Sequence, residues 1–227
     1  MQQVKVWDFA TRAFHWLLVT LVMLCFFTGE DEGLVFAVHA YAGFMVFMLL
    51  VFRLGWGVFG SRHSLFSDFV FSKAEIRNHA LSVLRLKPGQ HAGHNPLGGL
   101  MIFAMLAVLA ATAISGFVMV GGNLSWLEDI HEALGSLMQI LVAVHIAGVI
   151  VEQVLTREKL VQSMLTGFKN LPRELALKER ALAPSWRAAV LAAAVIMMAV
   201  FVFDQANYSG AVREFAAQDN AGEHRDD

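Results

Sequence analysis

Cysteine is nearly absent from this chain: Cys25 is the single one in 227 residues, and it lies in an apolar run. That scarcity excludes an intramolecular disulfide and a cysteine-ligated iron–sulfur cluster within one chain. No Cys-x-x-Cys-His exists to attach a c-type haem covalently. Any redox cofactor is therefore held by histidine or by non-covalent contacts. Charge is also scarce. Only 16% of residues are charged and 57% are hydrophobic, with a mean hydropathy of +0.56, against about 25% and 45–50% for a soluble domain. There is no nucleic-acid motif, no soluble second domain and no long internal repeat.

The apolar residues form long blocks, the mark of an integral membrane protein. Five spans read as transmembrane helices, at about 13–29, 36–58, 98–120, 129–151 and 187–204. Most approach the roughly 20 residues a helix needs to cross the hydrocarbon. A helix satisfies its own backbone hydrogen bonds, which lipid cannot do. The first span follows Lys5 and Arg12 and superficially resembles a signal peptide. However, Thr28-Gly29-Glu30-Asp31-Glu32 offers no small-x-small cleavage site, so it reads as a retained helix.

The net charge of −2 hides a segregation. Fifteen of the seventeen basic residues fall on one side: Lys5 and Arg12, then Arg53 to Lys87, then Arg157 to Arg187. The opposite connections carry Glu30-Asp31-Glu32 and Glu128-Asp129. Basic residues stay in the cytoplasm, which puts the N-terminus inside and the C-terminus outside. In the cytoplasmic loop, about 60–97, Ser72-Lys73-Ala74-Glu75 fits a capping box. Ile76, Ala80, Leu81 and Leu84 follow at helical spacing, as for a short helix at the membrane surface ended by Pro88-Gly89. His63, His79, His91 and His94 lie in this loop. His91-Ala92-Gly93-His94 has the donors to bind a metal, but the stretch reads as a solvent-facing loop and none of the four is assigned as a ligand. The stretch after Asp204, residues 205–227, reads as a polar, mobile periplasmic tail with His224 in it.

Four other histidines are costly where they stand. His15, His39, His131 and His145 lie within or at the edges of apolar spans, where a polar group is by default functional. The orientation puts His15 near the cytoplasmic face, and His39 and His131 near the outer face. His145 is fourteen residues beyond His131, about 21 Å deeper and within roughly 40° of the same helix face. Depth therefore pairs His15 with His145 and His39 with His131. Each pair suits one six-coordinate haem iron with no position open to oxygen. Gly43 and Gly135 lie one turn after His39 and His131, and Gly148 lies three residues after His145, giving flat space beside each ligand for a macrocycle. Arg12, one turn before His15, and Arg53, fourteen residues after His39, are candidate propionate anchors.

Certain motifs extend this reading. They are Trp7-Asp8, Arg12-Ala13-Phe14-His15-Trp16, His39 with Gly43, and Arg53-Leu54-Gly55-Trp56-Gly57. Gly93-His94-Asn95-Pro96-Leu97-Gly98-Gly99 opens the third span, and His131-Glu132 and His145-Ile146-Ala147-Gly148-Val149 lie on the fourth. Arg157-Glu158-Lys159-Leu160 and Met164-Leu165-Thr166-Gly167 follow. In these, over roughly residues 4–170, the chain resembles the bacterial cytochrome b561 family, which includes the b-type cytochrome subunits of membrane-bound nickel–iron hydrogenases. The resemblance implies an all-α membrane protein with a four-helix dihaem bundle spanning 1–170. It implies two non-covalent b haems on His15, His39, His131 and His145, in a bacterial inner membrane. It also implies electron exchange between the quinone pool and a periplasmic redox partner, a c-type cytochrome or an enzyme subunit. Residues 171–204, a cytoplasmic linker and a fifth C-terminal transmembrane helix, depart from the four-helix pattern. Two other readings stay open: an anchor subunit for a hydrogenase-like or dehydrogenase-like complex, and a metal or proton transporter using the same histidines.

Overall fold

The computed structural model describes residues 1–29, 33–122, 126–177 and 181–214. It is an all-α membrane protein with one small two-stranded addition. The elements run β1 (Gln2–Lys5), α1 (Phe9–Thr28), α2 (Gly33–Phe59), α3 (Lys73–Leu84), α4 (Pro96–Gly122), α5 (Trp126–Thr156), α6 (Leu160–Thr166), β2 (Phe168–Leu171), α7 (Arg173–Ala176) and α8 (Ser185–Gln205), with two short 3₁₀ turns at Arg62–Ser64 and Phe66–Phe69. Among the described residues, α1, α2, α4, α5 and α8 are long and apolar enough to cross a membrane. Each covers one of the five expected spans, α1 to within one residue.

Local chemistry sets where the helices start and stop. Asp8 caps α1, its Oδ1 accepting from Thr11 N at 2.7 Å. Asn95 does the same for α4, accepting from Gly98 N at 2.7 Å, and Pro96 takes the first helical position, where no backbone donor is needed. The Ser72 and Glu75 capping box forms at the start of α3. Gly167 ends α6 at a φ of +89°, a left-handed cap that a side chain would strain.

Backbone contacts divide the chain into two compact units. The first comprises residues 1–14, 53–106 and 140–190, the second 15–52, 107–139 and 191 onwards. In the first unit, the antiparallel β1–β2 pair sets Gln2 opposite Leu171 and Lys5 opposite Phe168. The backbone N–H groups of Val6 and Trp7 both donate to the Gly167 carbonyl, at 2.9 and 3.1 Å. Trp7 Nε1 donates to Ser163 Oγ at 3.1 Å, and Trp56 Nε1 to Asp8 Oδ2 at 3.3 Å. Motifs far apart in sequence (Trp7-Asp8, Trp56, Gly93-His94-Asn95, Met164 to Gly167) thus meet in one packed platform.

The second unit has an aromatic and aliphatic core of Ala40, Phe44, Met48, Val120, Tyr208 and Val212, with Val195, Ala199 and Phe203 of α8 packed on it. One expectation changes here. The stretch beyond Asp204 does not simply trail away: residues 208–214 are helical. Tyr208 is 3% exposed and donates to the Ala40 carbonyl at 3.0 Å. Two buried apolar side chains four positions apart, Tyr208 and Val212, were masked by their polar neighbours. The remainder of that stretch, with His224, lies outside the described residues, as does Glu30-Asp31-Glu32.

The loop histidines also depart from expectation. His63 and His79 are buried, at 4% and 6% exposure, and His91 and His94 are partly buried. His94 packs its ring between Trp7 and Phe69, with centroids 4.8 and 4.6 Å away. Burial, then the nearby positive charge of His63 and Arg53, pushes His94 down to about 3. His63 Nδ1 meets Asp68 Oδ2 at 2.7 Å. Although burial works against it, the hydrogen bond and charge of His63 hold the Asp68 carboxyl below its ordinary value, with help from Arg62 and His94.

Candidate haem site

Two of the four candidate histidines meet in the second unit. His39 on α2 and His131 on α5 face each other with ring centroids 6.0 Å apart and planes at 79°. Their hydrogen bonds decide which nitrogen each ring offers. The Cys25 carbonyl only accepts, so His39 Nδ1, 3.1 Å from it, carries the proton. Ser115 Oγ donates its one hydrogen to the Thr112 carbonyl at 2.9 Å. With its hydrogen placed there, Ser115 Oγ accepts from the Nδ1–H tautomer of His131, at 3.0 Å. In these tautomers both rings have a protein-bound Nδ1–H and an unprotonated Nε2, the form that a metal ligand needs.

The spacing suits one ion between two imidazoles. With metal–nitrogen bonds of about 2 Å, rings on opposite sides of an ion have centroids about 6 Å apart. Among the described residues, nothing lies within 4 Å of a Cβ built on Gly43 or Gly135, and the same holds for Gly148 in the first unit. Gly116 plays the opposite part and was missed in the sequence. A Cβ there would sit 2.8 Å from His131 Cε1, so only glycine lets this ring lie against α4. Ser115-Gly116, a hydroxyl and a small residue in the middle of an apolar span, is the signal that identifies the pair.

His15 belongs to the second unit, on α1, where its ring lies 5.2 Å from that of Trp16; His145 belongs to the first unit, on α5. The two candidate arginines differ. Arg12 donates through Nη1 to the Leu165 carbonyl, while its Nε is shielded from solvent with no hydrogen-bond partner among the described residues. That orphaned donor fits an anionic group brought by a cofactor. Arg53 is 5% exposed and already engaged: Nη1 donates to the Ser64 carbonyl at 2.9 Å, and the guanidinium lies over Phe66 and Phe69, 4.8 and 5.3 Å from their centroids.

The sequence profile of prokaryotic cytochrome b561 matches residues 6–167. The chain belongs to the prokaryotic cytochrome b561 family. It is accordingly a multi-pass membrane b-type cytochrome, an electron-transport protein of haem b. Similar curated proteins are each named a probable Ni/Fe-hydrogenase B-type cytochrome subunit. One from Cupriavidus necator is 26% identical over 211 residues, covering 73% of this chain and 86% of its own length. Those from Rhizobium leguminosarum bv. viciae and Azotobacter vinelandii are each 25% identical, covering 73% of this chain and 88% of their own lengths. No solved structure matches the chain significantly.

Proposed function

We propose that this b561-family chain is a dihaem conduit, with one haem on His39 and His131 and a second on His15 and His145. The reading rests on one observation: the facing His39 and His131 rings, whose tautomers both leave Nε2 for iron. When bound, haem b supplies a one-electron iron couple that the chain itself lacks. The residues do the rest. His39 with His131, and His15 with His145, would hold the two irons through imidazole alone and keep the chemistry to electron transfer. The Cys25 carbonyl and Ser115 Oγ hold the rings in orientation and raise the basicity of Nε2. Arg12, through its spare Nε, would bind a propionate, and Arg53 holds the adjoining fold with a smaller share in that contact. Gly43, Gly135 and Gly148 leave room for the ring planes.

In this reading electrons pass between the quinone pool and a periplasmic redox partner, such as a c-type cytochrome, across a bacterial inner membrane. The N-terminus is cytoplasmic and the C-terminus periplasmic, as the basic residues are distributed. A second reading has a specific observation behind it. The named relatives are hydrogenase cytochrome subunits, which favours a large redox-enzyme subunit as the partner and makes this chain its membrane anchor. Co-purification with an iron–sulfur protein would select that reading, and reduction by a soluble c-type cytochrome the first.

The deciding experiment is a reduced-minus-oxidised spectrum on the purified chain, integrated against protein. Two b-type haems per chain are expected, and one in His131→Ala. A single haem in the native chain, or two in the variant, overturns the pairing. A colourless protein would instead revive the transporter reading.

A further inference from the structure

The strongest feature outside the haem site lies in the first unit, where three segments bring metal-ligating side chains together. They are His79 on α3, His91 in the loop before α4, and Glu152 near the end of α5. One ligand atom from each lies within 4.8 Å of the other two. His79 Nε2 is 3.6 Å from Glu152 Oε2, and the two imidazole rings have centroids 5.2 Å apart. We propose that His79, His91 and Glu152 bind one divalent transition-metal ion of the zinc type, separate from the haem irons.

Four observations carry this. First, the donor set is two imidazoles and one carboxylate, a combination that holds zinc with one position left for water, and that also suits other borderline divalent ions. Second, the distances are near those required: ligands about 2 Å from a tetrahedral ion stand about 3.3 Å apart. The 3.6 Å gap is too long for a good hydrogen bond but short enough to close on an ion. Third, His79 Nε2 and His91 Nδ1 are shielded from solvent and have no hydrogen-bond partner among the described residues. Native proteins seldom leave such nitrogens unpaired, and an ion would satisfy both. Fourth, His79 is the buried residue of α3. This helix docks through an imidazole rather than through an apolar stripe.

The surroundings support the ligands as outer partners do in metal sites. Asn95, whose Oδ1 caps α4, lies beside the Glu152 side chain. Lys169 Nζ donates to the His91 carbonyl at 2.7 Å and pairs with Glu158 at 2.9 Å, which fixes the loop backbone. The Lys169 charge is matched by Glu158, so the Glu152 carboxylate is left for the ion. Bound there, the ion would tie α3 and the loop to the end of α5.

The test uses the full-length chain, carried on a tag without histidine, with haem content checked by spectrum in every sample. The protein is dialysed against a chelator and then equilibrated with micromolar Zn²⁺, and zinc is counted by mass spectrometry. One zinc per chain is expected. Glu152→Gln and His91→Asn should each weaken it more than about tenfold. Hydrogen exchange in residues 73–84 should slow on adding Zn²⁺. If the haem-loaded native chain takes up no zinc, or if the two variants bind it as the native chain does, the proposal is wrong. Native stoichiometry decides even where a variant misfolds, and the haem bands report separately on the electron-transfer reading.

Discussion

In the first unit several polar side chains are packed against one another, whereas in the second the described ones are met mostly by the backbone. Lys169 is buried with Glu158, His63 with Asp68, and Arg53 with a carbonyl and aromatic rings. His39 answers to the Cys25 carbonyl, and Tyr208 to the Ala40 carbonyl, inside a wall of phenylalanine. The difference concerns what each region can tolerate. A network of charges holds several loops in register, but each member is costly if its partner is lost. A backbone carbonyl cannot be mutated away, so a cofactor ligand oriented by one is securely held.

The largest expected effect tests the first half of that comparison. Lys169→Met leaves Glu158 as a buried, unpaired carboxylate and removes the donor to the His91 carbonyl. A loss of about 3–5 kcal/mol follows from breaking a buried pair, read as a fall in melting temperature in detergent. Adding Glu158→Gln should return much of it, since the unpaired charge is the main cost. If the double variant is as unstable as the single, the pair acts through geometry and not charge.

How much of this was legible beforehand divides along the same line. The five spans, the α3 capping box and the positions of the four histidines follow from composition and spacing, which operate within one helix. What escaped depends on tertiary contact. His79 and His91 sit in a sequence as polar as any loop, and the partners that meet them, Glu152 and Lys169, are more than 60 residues away. Tyr208 and Val212 are two apolar residues in a polar stretch, too few to register as a periodic face. Gly116 was one glycine among 18 until His131 was seen against it.

A second prediction uses acid to separate the units. His94 is held at about 3 in the folded chain, while an unfolded histidine titrates near 6.5, at about its ordinary value. Below that value the unfolded chain takes up a proton that the folded one refuses, so stability falls as pH falls. The loss reaches about 2 kcal/mol by pH 5 and vanishes above neutrality. Asp68 adds to it only lower still, because its folded value is depressed from 3.8. Melting curves from pH 7.5 to 5 should show the slope, and His94→Asn should flatten it. A flat native profile would mean that His94 is solvated.

The smallest effect probes the second unit at a place where a side chain, not a carbonyl, orients a candidate ligand. Ser115→Ala removes the acceptor from His131 Nδ1–H and leaves His39 with its Cys25 carbonyl. Both haems should stay bound, because Nε2 and the ring spacing are untouched. A lost hydrogen bond of about 1 kcal/mol corresponds to about 40 mV for a one-electron couple. The sign is upward: without its acceptor the imidazole is a weaker donor, and ferric iron loses more from that than ferrous iron does. A redox titration should show one of two midpoints moving and the other fixed. If the moving midpoint belongs to the haem that His131→Ala also removes, Ser115 acts through that ligand. If neither moves, the Thr112 carbonyl has taken over the proton, and the side-chain contact is as dispensable as the comparison says the carbonyl contacts are not.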